Sequence, residues 1–173
     1  LKGDNQYETD EGQKVDATKQ LKITHWPNFL IVSLRRFKYD YELKESVKIE
    51  DKVLSVNDEL KFTYDNQNYE LLSMNVHSGT VAGGHYIAYS KINGIWYEEN
   101  DSEVNPIDKN TVKQLSEQAY ILIFKKSRAK NPSKKSFKPA GIRNDGSTCY
   151  FNSCLQTILA INPLWKFLNS LKV

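Results

Sequence analysis

Apolar residues in the first 124 positions fall into short runs separated by polar and turn-forming residues, a pattern typical of β-strands. The clearest run covers 29–34, directly after Pro27, and its continuous apolar character predicts a buried strand. A weaker pattern at 112–118 predicts a short helix. The same criteria predict further strands at 47–49, 53–56, 69–76 and 119–124, the last of them buried.

One pair of strands is predicted together with its register. The segments 85–92 and 95–99 flank Asn93-Gly94, the strongest short-range signal for a two-residue β-hairpin turn. Such a turn pairs Ile92 with Ile95, and this pairing fixes every other cross-strand pair of the hairpin.

The pattern changes after residue 124. Residues 125–138 are rich in Lys, Ser, Asn and Pro, which predicts a flexible linker. Apolar positions then recur with helical spacing, and one apolar face is predicted from Phe151, Cys154, Leu155, Ile158 and Leu159. We therefore divide the chain into a β-rich segment (1–124), a basic linker (125–138) and a C-terminal segment (139–173).

The ends of the C-terminal helix are also predicted. Ser147 or Thr148 is the natural N-cap, because a side-chain oxygen there can accept from a free backbone N–H. Asn162-Pro163 ends the helix, since proline cannot continue it, and a second apolar helix begins at Leu164.

Composition narrows the class of protein. The chain has 173 residues, of which 39% are hydrophobic, enough for one domain with its own core. Its net charge is only +3, and a basic cluster near the linker lacks the interleaved aromatic residues of a nucleic-acid surface. We therefore do not expect a nucleic acid as partner. We do not expect a membrane either, because no run approaches the roughly 18 apolar residues of a membrane span.

Two cysteines argue against a disulfide framework and against structural zinc. Cys149 and Cys154 are five residues apart in one predicted helix and project to different faces. Three scattered histidines do not complete a four-ligand zinc site. Reduced thiols favour an intracellular protein, cytoplasmic or nuclear, with no metal and no cofactor.

Cys149 is the candidate nucleophile. It stands in the first turn of its helix, where the helix dipole and free N–H groups stabilise a thiolate. Cys154 lies on the apolar face, and we interpret it as a small buried hydrophobic residue. Asn144 could aim its side-chain amide at a developing oxyanion, although it is also a turn-former beside Asp145-Gly146.

His85 is the candidate base. In the hairpin register Asn100 lies opposite Ile87, on the same face as His85 and diagonal to it, about 7–8 Å away at the backbone. Asp101 pairs with Tyr86 and faces the other side. We therefore assign the orienting residue to Asn100, as in a Cys-His-Asn arrangement.

The remaining polar candidates receive structural interpretations. His25 stands at a strand entry and His77 at a strand end, where a satisfied structural histidine is the simplest reading; His77 could also support the site. Glu98 and Glu99 are expected to face solvent from the hairpin.

Several segments resemble the ubiquitin-specific proteases. Residues 141–156, with Asn144, Cys149 and Gln156, resemble their cysteine box. Val76-His77-Ser78-Gly79 through 84–89, then Trp96-Tyr97 and Asn100-Asp101-Ser102, resemble their histidine box. The palm segment between the boxes is matched by 16–20 and 35–40, and the end of such domains by 119–124.

The resemblance implies an α+β, papain-like fold in which an antiparallel β palm packs against the first helix of the thumb. It implies a cysteine peptidase that hydrolyses the bond after the C-terminal glycine of ubiquitin, with ubiquitin and ubiquitinated proteins as partners. It makes Cys149 the nucleophile, His85 the general base, Asn100 the third member and Asn144 the oxyanion donor. Thr9 and Gly12 stand where many members carry a zinc-binding Cys-x2-Cys, so zinc is not expected.

The order of the boxes departs from the family, in which the cysteine box comes first. We interpret the chain as circularly permuted, or else as rearranged or engineered. Most of the thumb and fingers is also missing, which leaves two alternatives open. One is a weak or inactive fragment that binds ubiquitin as a scaffold, and the other is a chain whose missing thumb comes from a partner.

Overall fold

The computed structural model describes residues 1–20, 22–52, 56–57, 59–127 and 139–161. Its helices are α1 (Lys109–Ser116) and α2 (Cys149–Leu159), with one turn of 3-10 helix at Gly3–Asn5. Its strands are β1 (Tyr7–Glu8), β2 (Lys14–Val15), β3 (Phe29–Ser33), β4 (Phe37–Asp40), β5 (Glu45–Lys48), β6 (Lys61–Tyr64), β7 (Gln67–Gly79), β8 (Gly84–Ile92), β9 (Ile95–Asn100), β10 (Glu103–Ile107) and β11 (Ala119–Lys126).

A seven-stranded antiparallel sheet forms the body of the described chain. Its strand order is β10-β9-β8-β7-β11-β3, and β6 pairs with the N-terminal end of β7. The main core lies on one face, where Met74 and Leu122 from the sheet and Val112 from α1 are almost completely buried. The hairpins β1–β2 and β4–β5 form separate two-stranded sheets.

The predicted hairpin is confirmed with its register. Ile92 pairs with Ile95 and Ala88 with Glu99. Asn93 and Gly94 both have positive φ angles, 53° and 87°, as a two-residue turn of this hand requires.

The strand at 29–34 is confirmed, but its burial is not. Among the described strands, β3 lies at the edge of the sheet and pairs with β11. Leu30 and Val32 pack against the main core, whereas Ile31 projects to the other face and is 57% exposed, so this strand is covered on one face and not on both.

Other predicted elements shift slightly. β11 continues to Lys126, so Lys125 and Lys126 belong to the sheet and not to the linker. The linker positions 128–138, the predicted helix stop at Asn162-Pro163, the second helix and most of the 53–56 strand lie outside the described residues. In the part of the chain that is described, no helix is long and apolar enough to cross a membrane.

Helix α2 begins at Cys149 as predicted, but it buries its polar side. Asn152, Ser153, Gln156 and Thr157 are buried, whereas Phe151 is 56% exposed. Cys154, Leu155, Ile158 and Leu159 of the predicted apolar face are half-buried, so the most buried side of the helix is its polar side.

The sheet surface beneath α2 explains this inversion. Ser73, Ala88 and Ser90 are small and completely or nearly completely buried there, so the helix lies close to the strands. The Ser73 hydroxyl donates to the Thr157 carbonyl at 2.7 Å, and the Thr157 hydroxyl donates to the Ser153 carbonyl at 2.7 Å. The buried polar side chains of α2 also have partners outside the helix: Asn152 donates to Asp101, Gln156 donates to the Ala140 carbonyl, and the Thr157 hydroxyl lies 3.4 Å from the Met74 carbonyl.

Arg36 provides a test of the fold away from the site. This side chain is 4% exposed, and it donates to the carbonyls of Ala119 at 3.0 Å, Glu117 at 2.7 Å and Asp51. We expect Arg36→Met to lower the free energy of unfolding by roughly 2–4 kcal/mol, because buried carbonyls lose charge-assisted bonds. Urea titration measures this loss. The matched variant Arg35→Met alters an exposed side chain and should stay within about 0.5 kcal/mol; equal losses in both would contradict the interpretation.

Candidate active site

The histidine and cysteine segments, far apart in sequence, meet at one cavity of about 440 Å³. His85 at the start of β8 lines it from the sheet. Asn144 and Cys149 line it from the segment that leads into α2. The structure thus brings three of the four predicted site residues to one surface, and the fourth, Asn100, contacts His85.

His85 is oriented by Asn100. The Nε2 atom of His85 lies 2.6 Å from the Oδ1 atom of Asn100. A carbonyl oxygen only accepts, so this contact requires a proton on Nε2 and leaves Nδ1 with its lone pair. The imidazole is held as the tautomer that can take a proton from a thiol.

Asp101 lies on the side of His85 and not on the opposite face. Its Oδ2 is 3.9 Å from His85 Nε2. The prediction extended the regular register one residue too far, because β9 ends at Asn100 and Asp101 adopts a left-handed φ of 50° in the turn into β10. The turn redirects its side chain.

The Asp101 carboxylate connects the histidine segment to the cysteine segment. Oδ2 accepts from Asn144 Nδ2 at 2.9 Å, and Oδ1 accepts from Asn152 Nδ2 at 2.8 Å. The Asp101 backbone carbonyl also accepts from Ile142 N at 2.7 Å. We call these three contacts the Asp101 clamp.

Asn152 is the site residue that the sequence analysis missed. It lies three residues after Cys149, one helical turn away on the same side, and is 3% exposed. Its amide also donates to the Arg143 carbonyl at 3.2 Å. The available signal was a polar residue spaced one turn from the nucleophile, which the apolar-face interpretation of the helix obscured.

Asn144 is fixed at both ends of its amide. Nδ2 donates to Asp101, while Oδ1 accepts from Thr148 N at 3.2 Å and from the Thr148 hydroxyl at 3.1 Å. Thr148 occupies the N-cap position, but its side chain does not cap α2. Asn144 binds the N–H of Thr148 instead, and one N–H of its amide is left to donate to a ligand.

Cys149 is half-buried at the first residue of α2. This position places the sulfur at the positive end of the helix dipole. Burial first, and then the charge of a Cys149 thiolate, raise the pKa of Tyr86, which lines the same cavity. Cys154 is half-buried on the same helix.

His77 forms part of the wall behind the site. It is 6% exposed, and its Nδ1 lies 3.4 Å from the Tyr120 hydroxyl. The centroids of the His77 and Tyr86 rings are 4.5 Å apart. Burial and then the charges of Lys48 and His85 lower the pKa of His77. A Cβ at Gly84 would lie 2.3 Å from His77 Nε2, so glycine is needed where the chain passes this ring. By contrast, His25 is exposed.

The prediction that the two hairpin glutamates face solvent is wrong. Glu98 is half-buried and accepts from the Tyr89 hydroxyl at 3.1 Å. Glu99 is 3% exposed, because its pairing with Ala88 directs it toward the face that α2 covers. In the described residues, no three His, Cys, Asp or Glu side chains are grouped as a metal site would require.

Comparison with known proteins agrees with this geometry. Residues 4–124 match the family described as ubiquitin carboxyl-terminal hydrolase. Ubiquitin carboxyl-terminal hydrolase 25 of Arabidopsis thaliana is 34% identical over 161 residues, which cover 89% of this chain and 23% of the relative.

Solved structures give the same result. The SAGA DUB module Ubp8/Sgf11/Sus1/Sgf73 bound to monoubiquitin matches with a TM-score of 0.61 and 34% identity, covering 72% of this chain and 29% of that one. The module bound to ubiquitin aldehyde matches with a TM-score of 0.57 and 32% identity, over 73% and 30%. The chain thus spans less than a third of the length of these relatives.

The α+β fold prediction, an antiparallel palm sheet packed against a helix, is confirmed by these similarities. The family resemblance is confirmed by the match over 4–124. The interpretation of the chain as circularly permuted stays a prediction. The chain belongs to the ubiquitin carboxyl-terminal hydrolase family.

Proposed function

We propose that this chain is the catalytic part of a thiol-dependent deubiquitinase that hydrolyses the bond after the C-terminal glycine of ubiquitin. The observation that carries the proposal is the 2.6 Å contact from His85 Nε2 to Asn100 Oδ1 at the cavity that Cys149 lines. A base held in a defined tautomer beside a thiol at a helix N-terminus is the arrangement that nucleophilic acyl transfer requires. Relatives of this fold bind monoubiquitin and ubiquitin aldehyde, which supports ubiquitin as the substrate class.

The first step forms an acyl-enzyme. His85 Nδ1 takes the proton of the Cys149 thiol, and the thiolate attacks the carbonyl carbon of the terminal glycine. The tetrahedral oxyanion receives hydrogen bonds from the free N–H of Asn144 and the backbone N–H of Cys149. When the C–N bond breaks, the imidazolium returns its proton to the leaving lysine amine.

The second step releases ubiquitin. His85 takes a proton from water, and the resulting hydroxide attacks the thioester carbonyl. The C–S bond breaks, ubiquitin leaves with a free C-terminal carboxyl group, and the imidazolium returns its proton to the Cys149 sulfur. Asn100 keeps Nε2 protonated throughout, so Nδ1 stays the atom that exchanges protons.

A second candidate function is a ubiquitin-binding scaffold with little turnover. The short span of the chain relative to its relatives favours it, because more than two thirds of each relative has no counterpart in this chain. Titrating ubiquitin and assaying a fluorogenic ubiquitin substrate on one preparation separates the two functions. Binding without turnover at high enzyme concentration would favour the scaffold, and activity restored by a second chain would point to a partner.

The nucleophile is tested by covalent labelling. A ubiquitin-tail electrophile should label the wild-type chain and leave Cys149→Ala unlabelled, because Cys149, and not Cys154, lines the cavity with His85. Intact-mass spectrometry measures the adduct. Cys154→Ala is the matched control and should be labelled at close to the wild-type rate; the opposite pattern would make Cys154 the nucleophile.

We expect substitutions of Asn100 and Asp101 to differ in their effects on kcat and on the free energy of unfolding. Asn100→Ala should lower kcat on the order of 10²–10⁴-fold by freeing the imidazole, with little effect on stability. Asp101→Ala should lower kcat and also reduce the free energy of unfolding by about 2–3 kcal/mol, because the buried Asn152 amide loses its shortest hydrogen bond and Asn144 loses its acceptor. Turnover of a fluorogenic ubiquitin substrate and urea titration measure both.

Ser102→Ala is the control for the Asp101 variant, since Ser102 is the exposed neighbour in the same turn. It should resemble the wild type in both measurements. Normal kcat and stability in Asp101→Ala would show that the clamp does not organise the site.

A further inference from the structure

Glu99 is a buried carboxyl group on the sheet face that α2 covers. It pairs with Ala88 on β8, and Ser90, two residues along β8, pairs with Ser73 on β7. Paired residues of antiparallel strands project to the same face, so Glu99 shares its face with Ser73, whose hydroxyl donates to the Thr157 carbonyl of α2. Glu99 is 3% exposed.

One oxygen of the carboxyl group lacks the partner that a buried charge needs. Its Oε2 completes no hydrogen bond with any described residue, and neither does the buried hydroxyl of Ser90. Burial raises the pKa of Glu99 to about 7, and the nearby Ser90 hydroxyl offsets only a smaller part of that rise. An unpaired carboxylate in this position would be costly, whereas a neutral carboxyl is tolerated.

Charges on the surrounding elements do not compensate Glu99. Glu98, the adjacent acidic residue on β9, points to the opposite face, and the Asp101 carboxylate in the following turn already accepts from the amides of Asn144 and Asn152. Arg143, the cation of the segment before α2, has 87% of its side chain exposed and pairs with Asp145. The other titratable groups that share the face of Glu99 on the neighbouring strands are Tyr97 on β9, Tyr86 on β8 and His77 on β7, and α2 itself carries Cys149, Tyr150 and Cys154.

We propose that Glu99 is a proton-dependent latch for α2: the neutral carboxyl lets the helix dock on the sheet, and loss of its proton loosens the helix. The same helix supplies Cys149 and Asn152, so undocking would separate the nucleophile from His85 and open the Asp101 clamp. The latch regulates assembly of the proposed active site, and to this extent its purpose rests on the proposed function.

The sign of the effect follows from proton linkage. The docked state binds this proton more tightly than an open state with the ordinary carboxyl pKa of 4.5. Docking is therefore most favourable below about pH 4.5. It weakens as the pH rises from about 4.5 to about 7, the range in which the open state has lost the proton and the docked state still holds it. Between pH 6 and pH 8 the opening equilibrium constant should rise on the order of tenfold.

Hydrogen–deuterium exchange of the 173-residue chain tests the latch. Protection of the α2 amides, corrected for the intrinsic pH dependence of exchange, should fall about tenfold from pH 6 to pH 8, while the central strand β7 changes less. Glu99→Gln keeps the shape and stays neutral, so its α2 protection should be independent of pH. Glu98→Gln, its half-buried neighbour, should behave like the wild type.

Two results would overturn the proposal: no loss of α2 protection in the wild type, or the same loss in Glu99→Gln. A ¹³C NMR titration of the Glu99 carboxyl in the wild-type chain gives an answer even where the variant does not fold. A midpoint near 7 supports the latch, and one near 4.5 excludes it. Neither measurement requires turnover, so a failed latch leaves the deubiquitinase proposal intact, and an inactive chain leaves the latch testable.

Discussion

The bidentate use of the Asp101 carboxylate is the interaction on which the site depends. One oxygen holds Asn144 before the nucleophile, and the other holds Asn152 one turn after it. The cysteine segment thereby docks on the hairpin through three hydrogen bonds to a single residue, counting the backbone bond from Ile142. Since the same hairpin presents His85 and Asn100, the clamp sets the distance between base and nucleophile without any direct bond between them.

Such docking explains why chain order is of little consequence for the chemistry. The contacts between α2 and the sheet are hydrogen bonds and close packing on small side chains, and none of them depends on which segment precedes the other. Gly141 illustrates how tight the fit is, because a Cβ at this position would lie 2.2 Å from the Ser102 carbonyl oxygen. Order along the chain affects the entropy of bringing the two segments together, which grows only slowly with the length of the connection.

The parts of the structure that follow from local rules were predictable from the sequence. Asn93-Gly94 specifies both the turn and the register, and the register alone was enough to choose Asn100 as the neighbour of His85. The same count failed at Asp101 because one left-handed residue ends the regular alternation of side chains. Whether a strand stops at a given residue depends on the next pairing, here between β9 and β10, which hairpin chemistry does not encode.

The orientation of α2 was not predictable for a different reason. Helical periodicity shows which residues share a face, but the face that is buried is decided by the surface opposite. Here that surface offers Ser73, Ala88 and Ser90, so hydrogen-bonding side chains of α2 turn toward the sheet, and Phe151 stays 56% exposed.

Glu99 lies under the helix for the same geometric reason. In an isolated hairpin, alternation would leave this carboxylate in water, as the sequence indicated. Docking of α2 removes the water and with it the main stabilisation of the charged form. A residue that sequence reasoning assigned to the surface is therefore the one whose ionisation competes most directly with assembly of the site.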